Sequence, residues 1–389
     1  MNEIIFNKIN ERRLGKDQTG ILGIDWILLL ALLPIVGAGL VAMNAFTGGG
    51  VFFDKQLAWA SFSLIIFFIT SFVDFRFLRR TGVVVSLYLF LMFILFGTAV
   101  VGAVVKGAQS WIHFGSIAFE PADTAKLVLI IILAKYFSRR HVEIADIKHI
   151  FISGLYAFIL FFLIMLQPDF GSAIIVFFIW LGMVFVSGIS KRHLLAVFLV
   201  GVASFALLWS FVFQPYQKER IVNFIHPLTD IRGSGYNAYQ SMIAVGSGEL
   251  FGKGVGYGTQ SRLKFLPEYQ TDFIFAAFAE EWGYVGILIL FSLYGVVIWR
   301  ILANTMNGST NFEILFGMGL AIYFMTHIII HVGMNIGLLP VTGIPMPFMS
   351  YGGTHLLTEF FGLGILMGMR RYAKAFHKDS IKNEFLGPV

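Results

Sequence analysis

The sequence predicts an all-α integral membrane protein of about ten transmembrane helices, with one large extracytoplasmic loop between helices 7 and 8. Three observations carry that expectation. Hydrophobic residues fill 57% of the 389 positions and charged residues only 13%, too little charge to cover a water-facing globule. Apolar runs of about 20 residues, the length that crosses the hydrocarbon core, recur along the chain. The basic residues are distributed between alternate loops in the manner that sets membrane orientation.

Ten stretches meet the length rule, starting near Ile24, Leu57, Gly82, Asp123, Ile147, Gly171, His193, Phe273, Asn311 and Ser350. Ile24 to Ala45 and Phe273 to Trp299 read most clearly, and Asp123 to Phe137 most weakly. The first run is long and follows a basic segment, so it reads as an uncleaved anchor, not a signal peptide. With the N-terminus inside, 19 of the 28 Lys and Arg residues lie on inner segments. Three lie in short outer segments and six in the long outer loop. Both termini are then expected in the cytoplasm. The net charge of +6 belongs to a basic inner rim that suits anionic lipid headgroups, not to a nucleic-acid surface. The chain has no cysteine, which excludes disulfides and thiol chemistry.

Residues 1–389 read as a single polytopic membrane domain without a separate soluble unit. Its one long connection runs from Gln214 to Asp272, and loops of that length are usually functional or disordered. Five tyrosines and balanced charges argue for order, with a short surface helix over Tyr236 to Val245. Four short outer loops surround it: Thr47 to Gln56, Lys106 to Ala122, Gln167 to Phe170 and Leu339 to Met349.

The outer segments hold the acids Asp54, Glu120, Asp123, Asp169, Glu219, Asp230, Glu249, Glu268 and Asp272. ATP is absent from that side, so chemistry there must draw on a membrane-borne substrate that is already activated. Asp272 ends the long loop just where the apolar run from Phe273 begins, beside Glu268. A carboxylate so placed can act as a general base on a lipid-anchored substrate; its bland alternative is a helix cap. Asp123 and Lys126 are three residues apart and share a helix face, fitting an ion pair that supports a site. Trp111 in an outer loop reads first as an interface anchor and second as a surface for stacking a sugar. Gln167-Pro168-Asp169 reads as a turn. The spacing of Gly254, Gly256 and Gly258 follows no predicted strand, so it is not a nucleotide loop. His327 and His331 lie on one helix face with Asn335 a turn on, a pattern of buried hydrogen bonds more than of zinc binding. Pro340 to Gly353, rich in proline and glycine, reads as irregular backbone at the outer face.

Taken together these motifs resemble the SEDS family of cell-wall polymerases. The likeness rests on Trp111 in Gly-Ala-Gln-x-Trp-Ile, on Gln167-Pro168-Asp169 and on Gly233-x-Gly235-Tyr236-x-x-x-Gln240-Ser241. It continues through Gly246 to Gln260, Thr271-Asp272-Phe273-Ile274-Phe275, Ala279-Glu280-Glu281, and Pro340 to Gly353. Phe265 to Glu268 and Ala279 to Glu281 sit nearer the family's elongation branch than its division branch. The resemblance implies a peptidoglycan glycosyltransferase that polymerises lipid II in a bacterial cell membrane and releases undecaprenyl pyrophosphate. It implies Asp272 as the catalytic residue, Trp111 as a functional tryptophan, and Asp123 and Lys126 as a supporting pair. Arg220 and Lys264 would help neutralise the pyrophosphate, with a divalent cation, Mg or Mn, as the one candidate cofactor. The nascent glycan strand and a class B penicillin-binding protein are the implied partners, and a lipid II flippase is the alternative activity. The chain departs from the family pattern at Ser110, Glu120, Asp123, Tyr269-Gln270 and Thr354-His355, where arginine, glutamine, glutamate, arginine–histidine and two serines are usual.

Overall fold

The computed structural model describes residues 23–47, 51–105, 108–114, 117–139, 147–188 and 235–384, with scattered positions between 193 and 224. Helices follow the apolar runs: α1 (Trp26–Thr47), α2 (Val51–Ser71), α3 (Thr81–Val101), α4 (Pro121–Ser138), α5 (Ile147–Met165) and α6 (Phe170–Val186). After the long connection come α7 (Tyr236–Ser247), α8 (Ile274–Thr305), α9 (Asn311–Asn335) and α10 (Gly353–Glu384). Among the described residues, α1, α2, α3, α5, α8 and α9 are long and apolar enough to cross a membrane. Their outward faces carry bare hydrophobic side chains such as Phe93, 75% exposed, and Phe151, 68% exposed, as lipid contact requires. The expected span from His193 falls largely outside the described residues, whereas α7 is the expected short helix of the long loop.

Two of the expected loops are structured. Residues 51–56 belong to α2, because Val51, Phe52 and Phe53 extend the apolar run and Asp54 favours a helix N-terminal turn. Three short strands, β1 (Ala103–Val105), β2 (Ala108–Phe114) and β3 (Ile117–Phe119), pair antiparallel in that order. Their valines, isoleucines and aromatics are strand formers, a local signal that hydropathy windows average away. Ala103 pairs with Trp111, and Ile112 with Phe119.

Helix α4, the weakest span by sequence, is the centre of the bundle. It packs against α3, α5, α6, α9 and α10 and is buried along almost its whole length. A helix enclosed by protein need not be uniformly apolar, so Asp123 and Lys126 can sit in it as a pair. α10 lies chiefly on α2, and α8 on α9 and α1.

The far end of the bundle, reached by α8 after about 40 Å at 1.5 Å per residue, is tied by charge. Asp25 accepts from Leu28 N–H at 3.1 Å, Arg300 Nε at 2.9 Å and Asn304 Nδ2 at 2.8 Å. Burial alone would raise the Asp25 carboxyl, but bonds from Arg300, Asn304 and Leu28 outweigh it and hold it below the usual range. Nearby, Arg79 pairs with Glu313, and Lys135 donates to the Arg79 carbonyl.

Helix α8 is broken at Gly283, whose φ of 65° and ψ of −167° are closed to other residues. The loop 249–254 covers the break: Tyr284 N–H donates to Glu249 O at 2.9 Å and Val285 N–H to Leu250 O at 3.0 Å. In return Lys253 N–H donates to Glu280 O at 2.9 Å and Gly254 N–H to Glu281 O at 3.0 Å. A side chain at position 283 would collide with this loop's backbone. We predict that Gly283→Ala lowers stability by about 2 kcal/mol. Gly295→Ala on the same helix, where a Cβ meets open space, should leave the melting midpoint in detergent within a few degrees.

Candidate active site

Asp272 sits half-buried on a turn at the start of α8. The turn is built on Glu268, whose φ of 54° lies in the left-handed region. That conformation aims the Glu268 carbonyl at three successive donors: Thr271 and Asp272 N–H at 3.1 Å and Phe273 N–H at 3.3 Å. The helix N-cap position falls on Phe273, so Asp272 does not occupy it. From the other side, Asn335 Nδ2 donates to the Asp272 carbonyl at 3.1 Å. The same amide accepts from Ala276 N–H at 3.1 Å and from Ser241 Oγ at 3.3 Å, which joins α7, α8 and α9 behind the carboxylate.

The segment 336–352 is irregular, as expected, and it packs against the Asp272 turn. Ser350 Oγ donates to Thr271 O at 2.7 Å and Tyr351 N–H to Gln270 O at 2.8 Å. A Cβ built on Gly343 (φ 75°) would stand 3.6 Å from Asp272 Oδ2. A glycine therefore borders the carboxylate and keeps side-chain bulk away from it. His331 Nδ1 lies 2.7 Å from Ile344 O and His327 Nδ1 3.3 Å from Pro345 O, so the pair serves as hydrogen-bonded contacts to this segment.

Asp123 and Lys126 form the expected ion pair, 2.9 Å apart and almost wholly buried. Beyond that expectation, His355 Nδ1 lies 3.1 Å from Asp123 Oδ1, and its Nε2 lies 3.0 Å from Glu359 Oε1. Glu359 Oε2 in turn accepts from Phe348 N–H at 2.9 Å. The chain of contacts joins α4 to α10 and to the segment beside Asp272. Burial, with Asp123 and Asp169 close by, pushes the Glu120 carboxyl well above its usual range. Asp169 caps α6, accepting from Ser172 N–H at 3.0 Å.

The remaining sequence candidates divide. Trp111 lies half-buried on β2, which packs against α3 and α4. Lys264 is exposed in a left-handed turn with φ 58°, on the loop that leads to Asp272. Arg220 lies outside the described residues. Glu280 and Glu281 hold the glycine loop from below: Glu280 Oε1 accepts from Lys253 Nζ at 2.8 Å and Gln260 N–H at 3.1 Å, and Glu281 accepts from Gly256 N–H. Sequence reasoning did not single out Gln56 or Ser350 as site residues, and it noted His355 only as a departure from the family pattern and Asn335 only by its spacing. The one available signal was an amide inside an apolar run, which is costly unless it is bonded. Among the described residues, no three His, Asp or Glu side chains converge on a cation position.

The model of the FtsW/RodA/SpoVE cell cycle proteins matches residues 20–375. The chain belongs to this family. Peptidoglycan glycosyltransferase MrdB of Escherichia coli strain K12 is 36% identical over 354 residues, covering 91% of this chain and 95% of that one. Stage V sporulation protein E of Bacillus subtilis is 33% identical over 90% of this chain and 95% of its own. Among solved structures, the rod shape determining protein RodA of Thermus thermophilus has 30% identity and a TM-score of 0.67, with 89% and 96% coverage of the two chains. A chain from a peptidoglycan synthase complex, described as coordinating polymerization and crosslinking, has a TM-score of 0.77 at 28% identity. It covers 90% of this chain and 98% of its own.

Removing one partner of a buried ion pair strands the other. Lys126→Met should therefore cost about 3 kcal/mol, and Asp123→Asn added to it should return part of that loss. Melting curves of the two variants check the order, and a double variant no more stable than Lys126→Met contradicts it.

Proposed function

We propose that Asp272 is the general base of a glycosyl transfer from a lipid-linked donor. The chain is a peptidoglycan glycosyltransferase, the activity for which its curated relatives MrdB and FtsW are named. In the reaction, the 4-hydroxyl of the acceptor GlcNAc of lipid II attacks the sugar carbon at the donor strand's reducing end. Asp272 takes the hydroxyl proton as the new carbon–oxygen bond forms. The bond to undecaprenyl pyrophosphate breaks, and the pyrophosphate leaves with the bonding electrons. No ATP is consumed, because the donor carries its own leaving group.

One observation carries this reading: a carboxylate bordered by Gly343, on a turn held by Glu268, Asn335, Ser350 and Tyr351. A base so held loses little orientational freedom on meeting substrate. Trp111 would stack on a sugar, and the Asp123–Lys126 pair and Glu268 would support the site. Lys264 and Arg220 would face the departing pyrophosphate. A divalent cation, Mg or Mn, would arrive on the pyrophosphate oxygens themselves, and no step here is routed through one.

Asp272 faces the extracytoplasmic side on this reading, and both termini are cytoplasmic. Support comes from the cations at the opposite end of the bundle, Arg79, Lys135, Arg300 and Arg370, which match a cytoplasmic rim. The enzyme works in cell elongation, with a class B penicillin-binding protein cross-linking the strand it makes. The synthase complex among its structural relatives supports that pairing.

Asp272→Asn should insert and melt like the parent protein, yet extend purified lipid II at least about 1,000-fold more slowly. Polymerisation at the parental rate would remove Asp272 from the role. Movement of lipid II across proteoliposomes without any glycan, partner present, would favour the flippase alternative.

A further inference from the structure

The loop beside Asp272 is gripped from behind by a residue that the reaction itself does not require. Helix α2 turns Val51, Phe62, Ile65 and Ile69 outward, yet Gln56 on the same helix is 1% exposed. Both halves of its amide are used. Nε2 donates to Ser350 O at 3.0 Å, and Oε1 accepts from Gly352 N–H at 3.2 Å. The ring of Phe52 meets Tyr351 edge-on at 5.1 Å between centroids. Trp59 closes over Gly353, where any side chain would collide with the indole. Residues 52, 56 and 59 share one helix face, and that face addresses residues 350–353.

Those residues are the ones that hold the Asp272 turn. Ser350 Oγ takes a hydrogen bond from Met346 N–H at 2.8 Å and gives one to Thr271 O at 2.7 Å. Tyr351 N–H reaches Gln270 O at 2.8 Å. The path from Gln56 to the two residues preceding Asp272 is thus made of neutral bonds of ordinary length. It ends on backbone, so it fixes where the carboxylate stands and not its charge.

We infer that Gln56 is a positioning residue: by clamping Ser350 and Gly352 it sets the place of Asp272. The inference rests on the reading of Asp272 as the base. Gln56→Met keeps the volume and apolar stem but removes both bonds, whereas Gln56→Glu keeps the acceptor for Gly352 N–H. Displacing a catalytic group by about 1 Å can cost about 100-fold in rate.

The experiment measures glycan synthesis from purified lipid II by the full chain, with hydrogen exchange of 268–273 and 346–352 and a melting curve for each variant. Gln56→Met should lower kcat by about 100-fold with KM within about threefold of the parent, and exchange in both segments should quicken. Gln56→Glu should fall between. Turnover within twofold of the parent would overturn the inference. So would a loss of turnover that follows the melting midpoint with exchange in the two segments unchanged. The exchange arm does not depend on what Asp272 does. An active Asp272→Asn together with faster exchange in Gln56→Met would fault the base and not the clamp.

Discussion

The structure around Asp272 depends on one constraint: backbone N–H and C=O groups near lipid must find partners within the protein. Three stretches there are not regular helix, and each finds its partners within the protein. The break in α8 at Gly283 is filled by the loop 249–254. The turn 268–272 closes on its own Glu268 carbonyl and on Asn335. The segment 336–352 is bonded to that turn by Ser350 and Tyr351, to α2 by Gln56 and to α10 by Glu359. Satisfying the backbone and aligning the carboxylate are the same act. Phe348, held at a φ of 59°, shares left-handed backbone with Glu268 in this set, and its N–H is the one Glu359 accepts.

That rigidity suits a reaction whose difficulty lies in orientation. On the proposed reaction both substrates would be tethered to membrane, and the protein's task would be to hold one hydroxyl against one carbon and remove its proton. The energy of transfer resides in the donor's pyrophosphate link. What the fold contributes is placement, with Asp272 at the edge of the bundle and the ionic ties of Asp25 and Arg79 at the other end.

Much of this was legible in the residues. Apolar runs located the described membrane helices, and Asp272 stood out because a loop carboxylate met a long apolar run. The start of α2 was not legible, since Asp54, Lys55 and Gln56 read as a loop until the helix puts Gln56 inside. The strands β1 to β3 were hidden because Lys106 to Ala122, a short stretch between two apolar runs, read as a plain outer loop. Asn335 and Ser350 carry no signal of their own: a single polar side chain in an apolar stretch becomes informative only when its partner in another element is known. Two departures from the family pattern turn out to be one. Asp123 is a carbon shorter than the usual glutamate, and His355, in place of a serine, reaches it at 3.1 Å.

The central claim is that a fixed carboxylate works outside the lipid, on the face without ATP. The chain has no cysteine, so one introduced at the exposed Leu263, on the loop that leads to Asp272, reports sidedness alone. In intact cells a membrane-impermeant maleimide should label Leu263→Cys without permeabilisation. Labelling only after the membrane is opened would put Asp272 in the cytoplasm and contradict the account.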